Sequence, residues 1–243
     1  MRLKPTEAVR ITRALIRQRM AATAIQQFVR EALPEGSIRA GWSDRLLFRR
    51  LFFTRQHQRK IVSETAFRLL WPLVRRPSAL MPLAEANGIY GFFTARFVSA
   101  LAGRIDGSCL EIGAGDGALA RCLRDAGADI VATDDYSWSG KIDYPPEVQK
   151  LPAVEALSQY RPESVLCSWP PGGNPFEAAV FETPSVRRYI VIGSRHQFAF
   201  GNWRSYRAQA AFSMQLDEAL SGMLLPPDFG GAVYIFDRRS MVV

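Results

Sequence analysis

The sequence predicts an α/β fold in which a doubly wound, mostly parallel sheet follows an N-terminal helical extension. Two observations support this prediction. The second half of the chain alternates short apolar runs with helical patterns, which is the order that places helices on both faces of a parallel sheet. The first of these runs leads into three glycines at alternate positions and then into a helix-forming stretch, as in a strand that turns sharply into a helix.

Helical spacing dominates the region before these glycines. Apolar residues recur there every three to four positions, which predicts three helices, over residues 6–32, 44–71 and 84–101. We therefore expect a basic helical cap over residues 1–84 and a sheet domain over residues 85–243.

The elements after the glycines follow from strand-like runs that alternate with helical spacing. A first strand is expected over residues 109–112 and a helix over 117–126, whereas residues 148–157 are expected to hold the third strand and the start of the next helix. The remaining expected elements are strands over 130–133 and 188–193, a fourth strand with its exit loop over 164–172, a helix over 204–220, and the last strands within 229–238.

The composition excludes several classes of protein. Of the 243 residues, 48% are hydrophobic, so a sizeable core is available, yet no run reaches the ~18–20 apolar residues of a membrane span. Cys109, Cys122 and Cys167 fall inside predicted strands or a helix, as reduced core residues of a cytoplasmic protein do, and not as a disulfide or zinc framework. With two histidines, no metal site is expected. The Arg-rich first thirty residues would also suit a mitochondrial transit peptide, but Glu7 and Glu31 favour a structural role.

Positive charge is concentrated in the first part of the chain. Residues 1–107 hold 19 Arg and Lys against 7 Asp and Glu, a net charge of +12, whereas residues 108–243 hold 12 against 16, a net charge of −4. Such asymmetry marks contact with nucleic acid or another acidic partner, or a solvated basic face on helices. We expect the solvated face, because only two of the 19 cations are lysines and no basic motif interleaved with aromatics occurs.

The glycine-rich turn is the strongest functional signal. Its glycines let the backbone turn tightly and let a ligand approach the main chain, and the amides at the helix start offer donors to a polar ligand. Gly113, Gly115 and Ala118 loosely satisfy the dinucleotide pattern, but Glu111 lies two residues before the first glycine. This carboxylate would repel a pyrophosphate and attract an ammonium group. A dinucleotide site is therefore disfavoured.

The run Leu110-Glu111-Ile112-Gly113-Ala114-Gly115-Asp116-Gly117 resembles motif I of the class I S-adenosylmethionine-dependent methyltransferases. The resemblance covers residues ~85–240 and implies a Rossmann-like, seven-stranded sheet whose last strand is antiparallel. It also implies S-adenosylmethionine as the cofactor, with Glu111 facing the ammonium of the methionine end. Tyr90 is the candidate for the aromatic that covers the cofactor in this family, with plain core packing as the alternative. The other expected contacts at the turn are Gly113, Ala114, Gly115 and Gly117.

Further cofactor contacts are implied at the next two strands. In the family an acid at the end of the second strand accepts hydrogen bonds from both ribose hydroxyls, and Asp134 matches that position, 23 residues after Glu111. Asp135 either assists or is simply solvated. Where the family often places an Asp against the adenine amino group, this chain has Pro152-Ala153-Val154. Ala153 is therefore expected to contact the cofactor through its backbone and not through a carboxylate.

The loop after the fourth strand, Ser168-Trp169-Pro170-Pro171-Gly172, resembles motif IV of the adenine- and glutamine-amino methyltransferases. In those enzymes an Asp or Asn in this loop accepts a hydrogen bond from the target amine. Here Trp169 and Gly172 occupy the first and last positions of the motif, so an exocyclic-amine substrate is disfavoured. Trp169 is expected near the transferred methyl group.

The segment after the fifth strand is expected to complete the acceptor site. A hydroxyl acceptor needs a base near neutral pH, and His196 is the histidine of the loops at this sheet edge; the alternative is a structural histidine. Four aromatics would suit a planar or apolar acceptor and would serve equally well as core: Trp169, Phe198, Phe200 and Trp203.

The sequence thus predicts methyl transfer from S-adenosylmethionine to a small, largely apolar or aromatic metabolite of the specialised-metabolism kind, with the methylated atom left open. Two alternatives remain. One is an enzyme that methylates RNA or another nucleic acid and grips it with the basic N-terminal region; the other is a non-catalytic methyltransferase-like subunit. The expected partner is a small-molecule substrate and no membrane, with nucleic acid as the second choice and a homodimer left open.

Overall fold

The computed structural model describes residues 41–54, 58–80, 84, 89–197 and 199–239. The helix expected over residues 6–32 lies outside the described residues. Residues 42–243 form one compact unit. The domain boundary that the sequence suggests between residues 84 and 85 stays a prediction.

A seven-stranded sheet runs through this unit in the spatial order β3-β2-β1-β4-β5-β7-β6. The first five strands in this spatial order, β3, β2, β1, β4 and β5, pair in parallel, and β7 is antiparallel to both β5 and β6. The expectation of a mostly parallel, seven-stranded Rossmann-like sheet with an antiparallel last strand is confirmed. The strands are β1 (Cys109–Ile112), β2 (Ile130–Asp134), β3 (Val148–Lys150), β4 (Ser164–Ser168), β5 (Arg188–Ser194), β6 (Phe212–Leu216) and β7 (Gly231–Arg238).

Helices cover both faces of the sheet. The described α-helices are α1 (Trp42–Phe52), α2 (Glu64–Leu70), α3 (Ala95–Ala102), α4 (Ala118–Asp125), α5 (Ala153–Tyr160), α6 (Glu177–Glu182), α7 (Trp203–Ala208) and α8 (Glu218–Ser221). Apolar side chains of α3, α4 and α8 form one buried layer, and those of α5, α6 and α7 form the other. Because successive strand residues point to opposite faces, Cys109 joins the first layer and Leu110 the second. The sheet is therefore doubly wound.

Two predicted helices before the glycine turn are wrong in extent. The stretch over residues 44–71 is divided into α1 and α2, and Ser63 begins α2 by accepting a hydrogen bond from the Ala66 amide at 3.3 Å. The helix expected over residues 84–101 is not continuous, because residues 89–94 are not helical and α3 begins at Ala95, where Thr94 caps it. Of the residues before this cap, Phe92 forms an isolated antiparallel bridge with Leu225, which is incompatible with a helix there.

The helix predicted over residues 204–220 is wrong. α7 ends at Ala208, and Phe212–Leu216 forms β6, which pairs with β7 at the edge of the sheet. The middle of this strand, residues 213–215, is exposed, so its side chains lack the alternation that identifies a strand. Pairing with β7 overrides the local helical spacing. All three cysteines are free thiols; Cys109 in β1 and Cys167 in β4 are buried core residues as expected, whereas Cys122 in α4 is only half-buried.

An aromatic cluster joins α1 and α2 to the segment before the glycine turn. The ring centroids of Phe52 and Phe92 lie 4.3 Å apart, and Phe67 stacks on Trp71 at 5.1 Å. The Trp71 indole donates a hydrogen bond to the Asp228 carboxylate at 3.1 Å. These contacts attach the helical region to the carboxyl-terminal edge of the sheet. None of the helices in the described part of the chain is both long and apolar enough to cross a membrane.

Candidate functional site

The glycine turn connects β1 to α4 with an unusual backbone. Gly113, Gly115 and Gly117 all have positive φ, at 62°, 56° and 63°, a region that other residues rarely adopt. A Cβ at Gly117 would also lie 2.5 Å from Val148 Cγ2, so no other residue fits there. The Ala114 amide donates to the Thr133 carbonyl at 3.0 Å, which ties the turn to the end of β2.

Glu111 lies in β1 beneath this turn and is buried to 1% exposure. Burial raises the pKa of its carboxyl to about 8, although the nearby positive charge of Arg59 opposes the shift. Its Oε2 is buried and has no hydrogen-bond partner. A buried carboxylate oxygen without a donor calls for a cationic or donating partner.

Arg59 reaches the turn from the segment between α1 and α2, and sequence reasoning missed it. Its side chain is 10% exposed and donates to Asp116 Oδ1 at 2.5 Å and to the Gly91 carbonyl at 2.9 Å. The guanidinium also lies 5.1 Å from the centre of the Phe93 ring. The distance of 57 residues between Arg59 and Asp116 leaves no local pattern that could have revealed the contact.

The two acids at the end of β2 have different surroundings. Asp134 is buried and accepts hydrogen bonds from the amides of Gly115 at 3.0 Å and Tyr136 at 2.9 Å. Asp135 is exposed and accepts from the Ser137 amide at 2.9 Å, and hydrogen bonds from Ser137 lower its pKa. The structure therefore brings Asp134 to the glycine turn and directs Asp135 towards solvent.

The loop between β2 and β3 also contacts the glycine turn. The rings of Tyr136 and Tyr144 stack with their centroids 3.9 Å apart, and the Tyr136 hydroxyl donates to the Val148 carbonyl at 2.5 Å. Ile142 Cδ1 lies 3.6 Å from the position of a Cβ on Gly115. Burial and the charge of Asp134 raise the pKa of Tyr144. No motif in the sequence indicated this loop.

Ala153 lies at the same edge of the sheet. It is the first residue of α5, after Pro152, and it is half-buried. The neighbouring Leu151 amide donates to the Asp134 carbonyl at 2.9 Å, which places the start of α5 beside the end of β2.

A cavity of about 330 Å³ opens at the carboxyl ends of β4 and β5. It brings together three residues that the sequence singled out, Tyr90, Trp169 and His196. Asp228 is the carboxylate of its described lining, and no Arg or Lys is among those lining residues. The remaining wall is largely apolar and glycine-rich: Gly91, Phe92, Gly193, Leu224, Leu225, Pro226, Phe229 and Gly231.

Trp169 and Tyr90 connect this cavity with the glycine-turn side of the site. Trp169 has φ 56°, which is strained for a residue with a side chain, and its amide donates to the Ile192 carbonyl at 2.7 Å. The Tyr90 ring lies 6.2 Å from Trp169 and 6.1 Å from Trp138 of the loop after β2. Tyr90 thus stands between the two halves of the site.

Of the other residues predicted at the acceptor site, one lies at the cavity and two lie in the apolar core. His196 is exposed at the cavity, and its amide donates to Ser194 Oγ at 3.1 Å. Phe200 and Trp203 pack in the second apolar layer, where the core alternative places them. Phe198 lies outside the described residues. No group of three or more His, Cys, Asp or Glu among the described residues is arranged to hold a metal ion.

Solved methyltransferases resemble this chain. A 23S rRNA methyltransferase has 18% identity and a TM-score of 0.34, and the match covers 60% of this chain and 68% of that chain. A TehB-like SAM-dependent methyltransferase from Corynebacterium glutamicum has 15% identity and a TM-score of 0.40, and the match covers 67% of this chain and 96% of that chain. Magnesium protoporphyrin IX methyltransferase from Synechocystis, with bound SAH, has 11% identity and a TM-score of 0.39, and the match covers 60% of this chain and 83% of that chain.

No family model and no curated protein matches the chain. All three TM-scores lie below 0.5, so the chemistry of this chain has to rest on its own residues.

Proposed function

We propose that this protein is an S-adenosylmethionine-dependent methyltransferase whose acceptor is a small, largely apolar or aromatic metabolite. The observation that carries the proposal is the unpartnered, buried Glu111 carboxylate oxygen beneath a turn of three glycines with positive φ. S-adenosylmethionine supplies an ammonium for such a carboxylate and a sulfonium-bound methyl group for transfer. The turn leaves room for it, since Gly115 has no Cβ at the site surface.

Each remaining contact fits the same ligand. Asp134 already accepts two amide hydrogen bonds, but a carboxylate offers about four acceptor sites, so it can also bind ribose hydroxyls. Tyr90 and Trp169 present aromatic faces between the turn and the cavity. Gly113, Ala114, Gly117 and Ala153 would contribute backbone contacts, whereas Asp135 faces solvent beside them and is not assigned a contact.

The chain's own contribution to methyl transfer is mainly orientation and exclusion of water. An in-line displacement at a methyl group requires the acceptor atom to be held in line with the breaking bond, which the aromatic walls of the cavity would do by shape. The cavity is of a size suited to a small molecule. The ionisable side chains of its described lining are Tyr90, His196 and Asp228. We therefore favour an apolar or aromatic acceptor.

Calorimetry tests the cofactor. We expect S-adenosylmethionine to bind and NADH not to bind, because the Glu111 carboxyl can ionise against an ammonium but offers a pyrophosphate no counter-charge. Replacing Gly115 with Val should abolish binding and leave the far-ultraviolet circular dichroism of the chain native, whereas Gly140→Val, in open space at the outer loop, should not affect binding. Tight NADH binding without S-adenosylmethionine binding contradicts the proposal. Mass spectrometry of candidate metabolites should then show a gain of one CH₂ group.

His196 is the proposed general base if the acceptor is a hydroxyl. It lines the cavity, and an imidazole nitrogen can accept the proton of a hydroxyl group. His196→Ala should lower the rate by roughly 10²–10⁴-fold while cofactor affinity stays unchanged. Unaltered turnover would return His196 to a structural role and leave orientation as the mechanism.

A second candidate function is methylation of nucleic acid. Six exposed arginines on and around α1 and α2 favour it: Arg45, Arg49, Arg50, Arg68, Arg75 and Arg76. Such a cluster could bind phosphates in a sequence-independent way, and that binding would weaken steeply with salt. The carboxylate of Asp228 in the cavity argues against it, because it would repel a phosphate near the reacting atoms.

A further inference from the structure

Two unpartnered polar atoms of opposite charge lie at the glycine turn. The described residues contain four buried side-chain nitrogen or oxygen atoms without a hydrogen-bond partner, and two of them are Glu111 Oε2 and Arg59 Nε. Arg59 is nine-tenths buried at the turn, on Asp116, and its charge acts on the Glu111 carboxyl. Leaving both atoms unpaired is costly, which indicates a ligand that pairs with each.

Arg59 has free bonding capacity in this position. A guanidinium carries five N–H donors, and the structure uses one Nη1 donor on the Gly91 carbonyl and one Nη2 donor on Asp116. Those two contacts and the Phe93 ring hold the group in one orientation. A guanidinium fixed in this way is suited to a carboxylate, which it binds with planar, charge-assisted hydrogen bonds.

We propose that Arg59 binds the carboxylate of the cofactor's amino-acid end, while Glu111 binds the ammonium beside it. This inference rests on the proposed function and adds to it a residue from outside the glycine-turn motif, contributed by the helical region of the chain. The pair suits a zwitterion, because one side chain is basic and the other acidic, and each has a buried polar atom without a hydrogen-bond partner. Asp116 serves as a positioning residue that holds Arg59 at the turn.

Three ligands separate the contributions of the two residues. S-adenosylmethionine carries both the carboxylate and the ammonium, decarboxylated S-adenosylmethionine carries only the ammonium, and 5′-methylthioadenosine carries neither. Calorimetry on the full chain should show that Arg59→Met weakens S-adenosylmethionine binding by ~10–100-fold and leaves the other two ligands unchanged. Glu111→Gln should weaken both ligands that carry the ammonium and spare 5′-methylthioadenosine.

Two further variants serve as controls. Arg68→Met removes an exposed arginine of α2 and should change no affinity, which excludes a general effect of net charge. Arg59→Lys keeps the charge but not the planar fork, and it should recover part of the lost affinity. Binding of 5′-methylthioadenosine to Arg59→Met reports that the adenosine side of the site is still folded.

If Arg59→Met does not fold, the ligand affinities of the unchanged protein still test the inference. The unchanged protein should bind S-adenosylmethionine at least tenfold more tightly than the decarboxylated ligand, a preference of roughly 1.4 kcal/mol. Equal affinities overturn the inference, as does an Arg59→Met variant that weakens all three ligands equally or none. If the unchanged protein binds none of the three ligands, the proposed function itself is overturned.

Discussion

The buried Glu111 carboxyl makes the stability of the folded protein depend on pH. Its pKa of about 8 in the folded chain lies above the ordinary value of 4.5 because burial disfavours the ionised carboxylate. Between these two pH values the folded protein holds a proton that the unfolded chain has lost. The contribution of Glu111 to stability therefore falls as the pH rises through this window.

This linkage predicts a measurable difference between the protein and its Glu111→Gln variant. The free energy of unfolding, measured in urea at several pH values from about 4.5 to 8, should decline more with rising pH in the unchanged protein, because the amide does not titrate. A ligand ammonium favours the ionised form, so binding near pH 7 should release protons, seen as a buffer-dependent heat, and the variant should release fewer. Identical pH profiles would contradict a raised pKa at Glu111.

Asp134 and Asp135 form a matched pair for testing the cofactor site. Asp134→Ala should weaken S-adenosylmethionine binding by about 1–3 kcal/mol, since it removes the acceptor for the ribose hydroxyls and for the Gly115 amide. Asp135→Ala is the control, because its carboxylate is exposed and accepts from the Ser137 amide, and the variant should bind nearly as the unchanged protein does. Calorimetry at one ionic strength measures both. Equal losses would show that Asp134 has no special role.

At the scale of elements, two loops of the site are joined by a buried carboxylate on α6. Glu177 accepts hydrogen bonds from the hydroxyls of Tyr189 and Tyr206, from Asn174 Nδ2 at 2.6 Å and from the Asn202 amide at 2.7 Å. Backbone bonds reinforce the connection, with the Gly173 amide on the Gly201 carbonyl at 3.0 Å and the Gly201 amide on the Pro170 carbonyl at 2.8 Å. The loop after β4, which carries Trp169, is therefore fixed to the segment after β5.

Removing this acceptor should cost more than an ordinary surface change. Glu177→Gln keeps the shape but leaves buried hydroxyl or amide donors facing an NH₂ group, so we expect the free energy of unfolding to fall by roughly 2–5 kcal/mol. Glu182→Gln, at the exposed end of the same helix, should change it by less than about 0.5 kcal/mol. Urea unfolding of both variants at one pH makes the comparison, and equal stabilities would show that the four bonds add nothing.

The elements that the sequence predicted well are those whose pattern is local. β1, β2 and β5 are short buried runs, and each is found within one residue of its expected bounds, whereas β4 lies in the first part of the segment expected to hold the strand and its exit loop. The errors arose where distant pairing decides the structure. β6 exists because β7 lies beside it, and the residues before α3 bridge to Val62 and Leu225. The N-caps Ser63 and Thr94 were the signals that could have corrected α2 and α3.

The same distinction applies to the site. The glycine turn, Glu111 and Asp134 belong to one contiguous strand–turn–helix–strand unit, so their spacing predicts that they meet. Arg59, Asp228 and the loop with Tyr144 reach the site from segments with no fixed spacing to the motif. Nothing in the local sequence constrains such contacts, because only the packing of the whole unit brings them together.

At the scale of the whole molecule, the basic helical region and the sheet jointly build one site. Val62 bridges to Thr94 just before α3, and the Trp71 indole bonds to Asp228 in the cavity wall. The arginines of α1 are exposed, as are Trp42 and Leu46, whereas Phe48, Leu51 and Phe52 of the same helix are buried. This arrangement is expected of a helical wall with a solvated outer face.

That arrangement predicts that the chain does not grip nucleic acid. In gel-shift titrations with tRNA and with duplex DNA at two salt concentrations, we expect no submicromolar binding, although the net charge of +8 will give weak, non-specific association at low salt. The variant with Arg45, Arg49 and Arg50 all changed to Gln should behave like the unchanged chain. If those arginines instead contacted phosphates, binding would be tight and salt-sensitive. A plot of the logarithm of the binding constant against the logarithm of the salt concentration would then have a slope of about −0.7 to −0.9 per phosphate contact. The triple variant would make this slope less negative by roughly two to three. Such a result would favour the nucleic-acid methyltransferase over the small-molecule enzyme.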